Sequence, residues 1–473
     1  MPLGPFDRRA KRSRCTTCAA SHSKLPTSAD RSECSGSLPC TRCQNRGIRC
    51  LFPEPAASGN GTVIRLDRGK IHTVKDFRAT KLSRPHAPLP DRMSCYLFYF
   101  DIFMRRNSFT GREPGFLSDV QSLVKGSAGG RQVVPCQYLL NAMLALGAMQ
   151  AVPLSTSGSQ TSLRFAMESY LQSLAGLRVA VSAFSSTQRD SILWTTFLLG
   201  LFELMQDASG QKWLQHMVFG TSQALIASGP TTCASGTMRT FFIQARTFEV
   251  CRSIIFNQAS FLASPEWIGL TDSLSNASVA TATASLSDLL KLVVLCSALR
   301  ARTAEFIDFL PVSCPNMDSG GFLEALNLAT EGFHLREALG DWKTSAMFPP
   351  ERREEMLLST VYYSATSIYL SGNYDYDLRH WQMMGVGVPV LDLHEIAEHY
   401  DTIVTTVREA LMTTSLSPLL FLFPLRVAGA RARQAWQQYA VMDLLQEVRK
   451  QFVVADAMIL ELTDVWSLSR VSM

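Results

Sequence analysis

From about Asp91 to the end of the chain, apolar residues recur at spacings of three and four, the period of helices that lay one face against a core. Leu163, Met167, Tyr170, Leu174, Leu177 and Val181 make one such stripe and predict a helix with that face buried. Thr187-Gln188-Arg189-Asp190 reads as a capping box ahead of the next helix. That helix carries the longest apolar stretch of the chain, SILWTTFLLGLFELMQ from Ser191. Further helices are expected over 400–412 and 433–453. Alternating patterns are sparse, and no Asn-Gly turn joins two of them. No internal repeat is visible. The body, residues 91–473, is therefore expected to be one large all-helical domain.

Before residue 91 the periodicity stops. Residues 51–90 hold SGNG, several prolines and scattered Arg and Lys, and read as a basic flexible linker without the heptads of a coiled coil. Residues 1–14 form a basic tail with Arg8, Arg9, Lys11, Arg12 and Arg14. Between tail and linker, residues 15–50 are rich in cysteine. At 473 residues, with 47% apolar and 18% charged positions, the composition is globular and long enough for two or three structural units.

The overall charge of +5 conceals a strong asymmetry. Residues 1–90 hold 17 Lys and Arg against 6 Asp and Glu, a net of +11; the remaining 28 and 34 leave −6. The positive end makes a field suited to a polyanion. The stretch from Ser191 is interrupted by Glu203 and falls short of the ~20 apolar residues of a membrane-spanning helix. MPLGPFDRRAKRSR lacks the apolar core of an export signal. An intracellular, membrane-free protein is expected, where clustered cysteines favour zinc over disulfides and the Asn276-Ala277-Ser278 sequon has no role.

Six of the 12 cysteines lie in the first 50 residues: Cys15, Cys18 and Cys34, then Cys40, Cys43 and Cys50. Each set opens with a CxxC pair, which can chelate one metal ion from a turn. The other six (Cys95, Cys136, Cys233, Cys251, Cys296, Cys314) are spread thinly. Six thiolates complete two tetrahedral zinc sites only when two sulfurs bridge, because four bonds at each zinc require eight in total.

RCTTCAASHSK…CSGSLPCTRCQNRGIRC resembles the fungal zinc binuclear cluster transcription factors, with their C-x2-C-x6-C halves joined by a proline-bearing loop. The resemblance implies two zinc ions per chain, all six N-terminal cysteines as ligands, Cys15 and Cys40 as the bridging pair, and Pro39 as the loop proline. It also implies a nuclear protein that docks in the major groove of double-stranded DNA, commonly over a CGG triplet. The DNA-contacting set it implies is Arg12, Arg14, His22, Lys24, Arg42 and Arg46. Partners then include the transcription machinery or coregulators; with no coiled coil after the cluster, both monomeric binding and a homodimer paired through the body stay open.

Two departures stand out. Fifteen residues separate Cys18 from Cys34, so that 25–33 (LPTSADRSE) reads as an insertion of nine. It is either a loop lengthened at small entropic cost or sequence from a misassigned exon boundary. The basic run expected after the second cysteine is Ala19 to Lys24, in which only Lys24 and His22 have cationic character. Lysine is the better partner for guanine O6 and N7. Ala-Ala-Ser at this place resembles the aflatoxin-type regulators of secondary-metabolite clusters.

A second resemblance covers roughly 91–270: LLNAMLALGAMQAV, SILWTTFLLGLFELMQ, KWLQHMVFGTSQALIASGP and PEW look like the fungus-specific helical regulatory domain, fading beyond Trp267. Enzyme signatures fail. His394-Glu395-Ile396-Ala397-Glu398-His399 places its histidines five apart, about 140° around a helix, where a zinc protease needs four. Gly385-Val386-Gly387 runs into Pro389 without a preceding strand. Trp213, His216 and the phenylalanines from Phe197 to Phe202 read as core packing ahead of a pocket. The expected function is that of a DNA-binding transcription factor and not an enzyme. The competing reading is a scaffold or corepressor whose zinc module makes protein contacts.

Overall fold

Long runs that are apolar on every side must lie at the centre of a helical protein, and two such runs organise this one. The computed structural model describes residues 91–471 except 111–115, 126, 129–130, 133–135, 155–158, 184–187, 277–284 and 310–318, and of residues 1–90 only Cys43, Gln44, Gly47 and Cys50. Helix α1 (Arg92–Arg105) opens at Asp91, whose carboxylate accepts from the Met93 N–H. Helix α2 (Phe116–Lys125) leads into β1 (Ser127–Ala128) and β2 (Arg131–Gln132), an antiparallel pair with Ser127 opposite Gln132.

Helix α3 (Gln137–Ala151) is the first central run; ten of its 15 residues are buried. Its glycine allows α1 to cross at backbone contact, since a Cβ on Gly147 would stand 1.9 Å from the Tyr96 carbonyl oxygen. Helix α4 (Ser159–Ser182) lies against α3, and α5 (Arg189–Gln206) is the second central run, buried without a break from Ser191 to Met205. Short helices α6 (Gln211–His216) and α7 (Ser222–Ser228) are joined by one π-helical turn, Met217–Thr221. Then follow α8 (Gly236–Ile255), α9 (Pro265–Asn276), α10 (Leu286–Phe309), α11 (Ser319–Ser345) and α12 (Arg353–Asp375). The chain ends with α13 (Leu378–Met383), α14 (Leu393–Thr413), α15 (Leu422–Arg431), α16 (Ala435–Arg449) and α17 (Ala455–Val471).

Edge-to-face aromatic pairs knit the centre. Phe197 on α5 sits 5.3 Å from Phe248 and 5.9 Å from Trp194, and Phe109 sits 4.8 Å from Phe248. A backbone bridge joins distant parts of the chain. The Ser108 N–H donates to the Ser415 carbonyl at 2.8 Å, the Ser417 N–H donates to the Ser108 carbonyl at 2.9 Å, and the Ser417 hydroxyl donates to Asn107 Oδ1.

The expected large all-helical domain is present among the described residues, interrupted by the β1–β2 hairpin alone. One local expectation is corrected. The buried face of α4 is Ser162, Ala166, Ser169, Ser173, Leu177 and Ala180, not the predicted stripe, of which only Leu177 is buried. Small residues win that face because they let α4 approach α3 closely: the Ser173 hydroxyl donates to the Tyr138 carbonyl at 2.7 Å. Thr187, the first residue of the capping box expected ahead of α5, lies outside the described residues; the helix starts after Gln188, which makes no side-chain cap, and the Asp190 carboxylate accepts the Thr237 hydroxyl.

Candidate metal centre and buried polar sites

Of the residues expected to hold metal or DNA, Cys15, Cys18, Cys34, Cys40, Arg12, Arg14, His22, Lys24, Arg42 and Arg46 lie outside the described residues. Cys43 and Cys50 are described. Cys43 is 1% exposed and lies with Gln44 in helical conformation. The Gly47 N–H donates to the Gln44 carbonyl at 3.2 Å, and Gly47 takes φ +61°, a left-handed conformation suited to glycine. Cys50 is half-buried. An enclosed thiol, a tight turn and a second thiol suit a chelating half-site, and thiolate is the donor chemistry zinc prefers. Among the described residues no group of three or more ligand-type side chains converges.

The cysteines of the helical body differ chemically. Burial pushes the thiols of Cys233 and Cys251 up to about 11 and that of Cys296 up to about 12. They are neutral thiols at physiological pH. Cys251 lies 3.2 Å from the Tyr362 hydroxyl, which donates to the Leu420 carbonyl.

Two buried carboxylates of the body, Glu249 and Glu203, are held by structural partners. Glu249 on α8 accepts two hydrogen bonds from Arg252, at 2.8 and 2.6 Å, and one each from the Ser222 and Ser260 hydroxyls. Arg252 also donates to Gln258. This one carboxylate therefore ties α7, α8 and the segment before α9 together. Sequence reasoning overlooked it; a Glu and an Arg three apart inside an apolar helix were the available signal. Glu203 accepts the Tyr170 hydroxyl and lies 2.6 Å from His216 Nδ1. Of the residues read as core, Trp213, Phe197 and Phe202 are buried, with Phe202 stacked on Tyr170 at 4.8 Å between centroids, whereas His216 is only half-buried.

The HEIAEH segment builds no metal site. Glu395 completes a capping box with Asp392 at the start of α14, the two side chains accepting each other's backbone N–H at 2.8 Å. His394 is exposed beside Glu398, whereas His399 turns inward against the Tyr363 ring, 5.7 Å away. The expected solvated face thus holds for His394 and Glu398 and is corrected for His399. Gly385, at φ +69°, ends α13 by donating to the Gln382 carbonyl, so the Gly-Val-Gly run is a helix stop.

Burial, followed by the nearby Arg336, holds the His399 imidazole below its usual 6.5, with Glu395 and Glu398 opposing and Lys343 adding to the shift. The unfolded chain takes up this proton first as pH falls. Stability from His399 is therefore complete above pH 6.5 and declines on acidification towards the folded value. His399→Gln is expected to flatten that part of the stability–pH curve in urea melts between pH 7 and 5; an unchanged curve would remove His399 as its source.

Residues 127–472 match the family described as the fungal specific transcription factor domain. A segment of 117 residues is 27% identical to an uncharacterized protein of Emericella nidulans and covers 25% of each chain. The chain thus matches about a quarter of that relative's length. No solved structure matches. The family match continues some 200 residues past Trp267, where the motif likeness read from the sequence ends. It begins after α1, although α1 packs on α3 as part of the same body. Among the described residues no helix is long and apolar enough to cross a membrane.

Proposed function

The chain belongs to the fungal specific transcription factor domain family, and on that footing we propose that it is a nuclear, zinc-dependent, sequence-specific DNA-binding regulator of transcription by RNA polymerase II. In this reading residues 15–50 hold two zinc ions through Cys15, Cys18, Cys34, Cys40, Cys43 and Cys50. Lys24 and His22 face the bases, while Arg12, Arg14, Arg42 and Arg46 contact phosphates. The helical body presents surfaces to the transcription machinery or coregulators. Control of a secondary-metabolite gene cluster is the pathway suggested by Ala19-Ala20-Ser21.

The observation that carries the reading is the family match over 127–472 on a chain whose other end places six cysteines in a segment of strong positive charge. The helical body, net negative at −6 over residues 91–473, repels a polyanion. DNA contact falls to the basic end by charge alone.

Selection of the full-length protein on randomised duplex DNA tests it. Enrichment of a CGG-type triplet is the expected result. With four arginines on phosphates, the affinity should fall with a log–log salt slope of about −3 to −4, and each Arg→Ala change should reduce the slope by about 1. The interaction-protein reading takes over if no triplet is enriched at low salt. The insertion at 25–33 and the charge-poor stretch 19–23 are the features that favour it.

A further inference from the structure

Helix α4 has two apolar faces, and the fold uses one. Its small-residue face is buried on α3. The stripe Leu163, Met167, Leu171, Leu174, Val181 faces outward: Met167 is 36% exposed, Leu171 49% and Val181 54%, with Leu163 and Leu174 half-buried. The spacing is four, four, three, seven, with exposed Arg178 standing in the long gap at the same angular position. The result is a coiled-coil-like seam of about 27 Å along the helix. Met167, Leu171 and Val181 are left exposed along it. Side chains of this size left in water along one line on a helix mark a contact surface.

We infer that this seam pairs with the same seam of a second copy, antiparallel about a twofold axis. A twofold interface requires a patch to be its own complement, and this patch meets that demand in both shape and charge. The ends of the stripe, 163 and 181, average to 172. The exposed acid and base beside it, Glu168 and Arg178, average to 173. The two centres agree to within one residue, about 1.5 Å along the helix, so an axis near 172.5 lays the apolar stripe on itself and brings each acid within reach of the other copy's base. Leu171 then meets Leu174 of the second copy, and Leu163 meets Val181. Met167 packs on the aliphatic stem of Arg178, whose guanidinium reaches Glu168. A parallel pairing would set Arg178 against Arg178 and Arg164 against Arg164, a repulsive arrangement. Glu168 is held ready by its i,i+4 bond from Arg164 at 2.8 Å, which leaves it exposed to a second cation.

The mass of the full-length chain in solution, by sedimentation without DNA, tests the pairing independently of the DNA-binding reading. Twice 52.3 kDa is expected at micromolar concentration. Met167→Asp with Leu171→Asp should give the single-chain mass at unchanged helical circular dichroism. Arg178→Glu should weaken the dimer about tenfold, and Glu168→Arg added to it should restore affinity to within about threefold. A single-chain mass for the natural sequence at ~50 µM overturns the proposal. So does a dimer that ignores the aspartates, or a charge swap without rescue.

Discussion

Gly147→Ala is expected to leave little folded protein. The added methyl would lie 1.9 Å from the Tyr96 carbonyl oxygen and 2.8 Å from its carbon, both backbone atoms of α1. A clashing side chain can change rotamer, but a helix backbone can only move away as a unit. Doing so opens the contacts α1 makes elsewhere, including Phe103 on Phe452 and the Tyr96 hydroxyl beside Ser162. The cost should be about 4 kcal/mol or more, at the upper end for a single substitution. That is a large fraction of the 5–15 kcal/mol a domain typically has. Thermal melting followed at 222 nm checks it, with Gly340→Ala as the control. Gly340 lies in α11 with nothing within 4 Å of the added atom, and alanine there should be neutral or stabilising by up to about 1 kcal/mol. Equal melting temperatures for the two variants would contradict the α1–α3 crossing.

The second large effect concerns metal. Stripping zinc from the intact protein with a chelator is expected to abolish DNA binding and leave helical circular dichroism almost unchanged. Structural zinc supplies roughly 10–16 kcal/mol to small modules that do not fold without it, and a 36-residue segment has little apolar core to fall back on. Cys43→Ser should reproduce the loss. Cys251→Ser and Cys296→Ser should not alter metal content, since their thiols are buried in the body and held neutral. Fluorescence anisotropy on the selected DNA, read with and without added zinc, decides the matter: binding that survives the chelator would remove zinc from the account.

How much of this was legible in the sequence depended on whether hydropathy and burial coincide. They coincide in α5, where SILWTTFLLGLFELMQ is buried from its first residue to Met205, and in α14, where Tyr400, Ile403, Val404 and Val407 follow the helical period into the core. They part company in α4. Its buried face is rich in serine, and serine scores as polar although it packs well where two helices nearly touch. The stripe that scores as core was left for another surface. The buried ions were illegible for a related reason: Glu249 is explained by Ser222, Ser260 and Arg252 together, and their convergence exists only in three dimensions. At the candidate metal centre, cysteine spacing remains the main guide, since of the six proposed ligands only Cys43 and Cys50 are among the described residues.

The bridge between Asn107–Ser108 and Ser415–Ser417 bears on how the protein is made. The two sides are 310 positions apart. At the ~5–20 residues per second of a ribosome, the loop that receives the end of α1 emerges roughly 15–60 s after α1 itself. Throughout that interval the first helix of the body waits with Phe103 and Met104 uncovered on the side that Phe452 and its neighbours will close. The nascent chain is in that respect a client for chaperones, and a transcript cut short before codon 415 yields a protein whose first helix, though still packed on α3, lacks the bridge from Ser108 to Ser415 and Ser417.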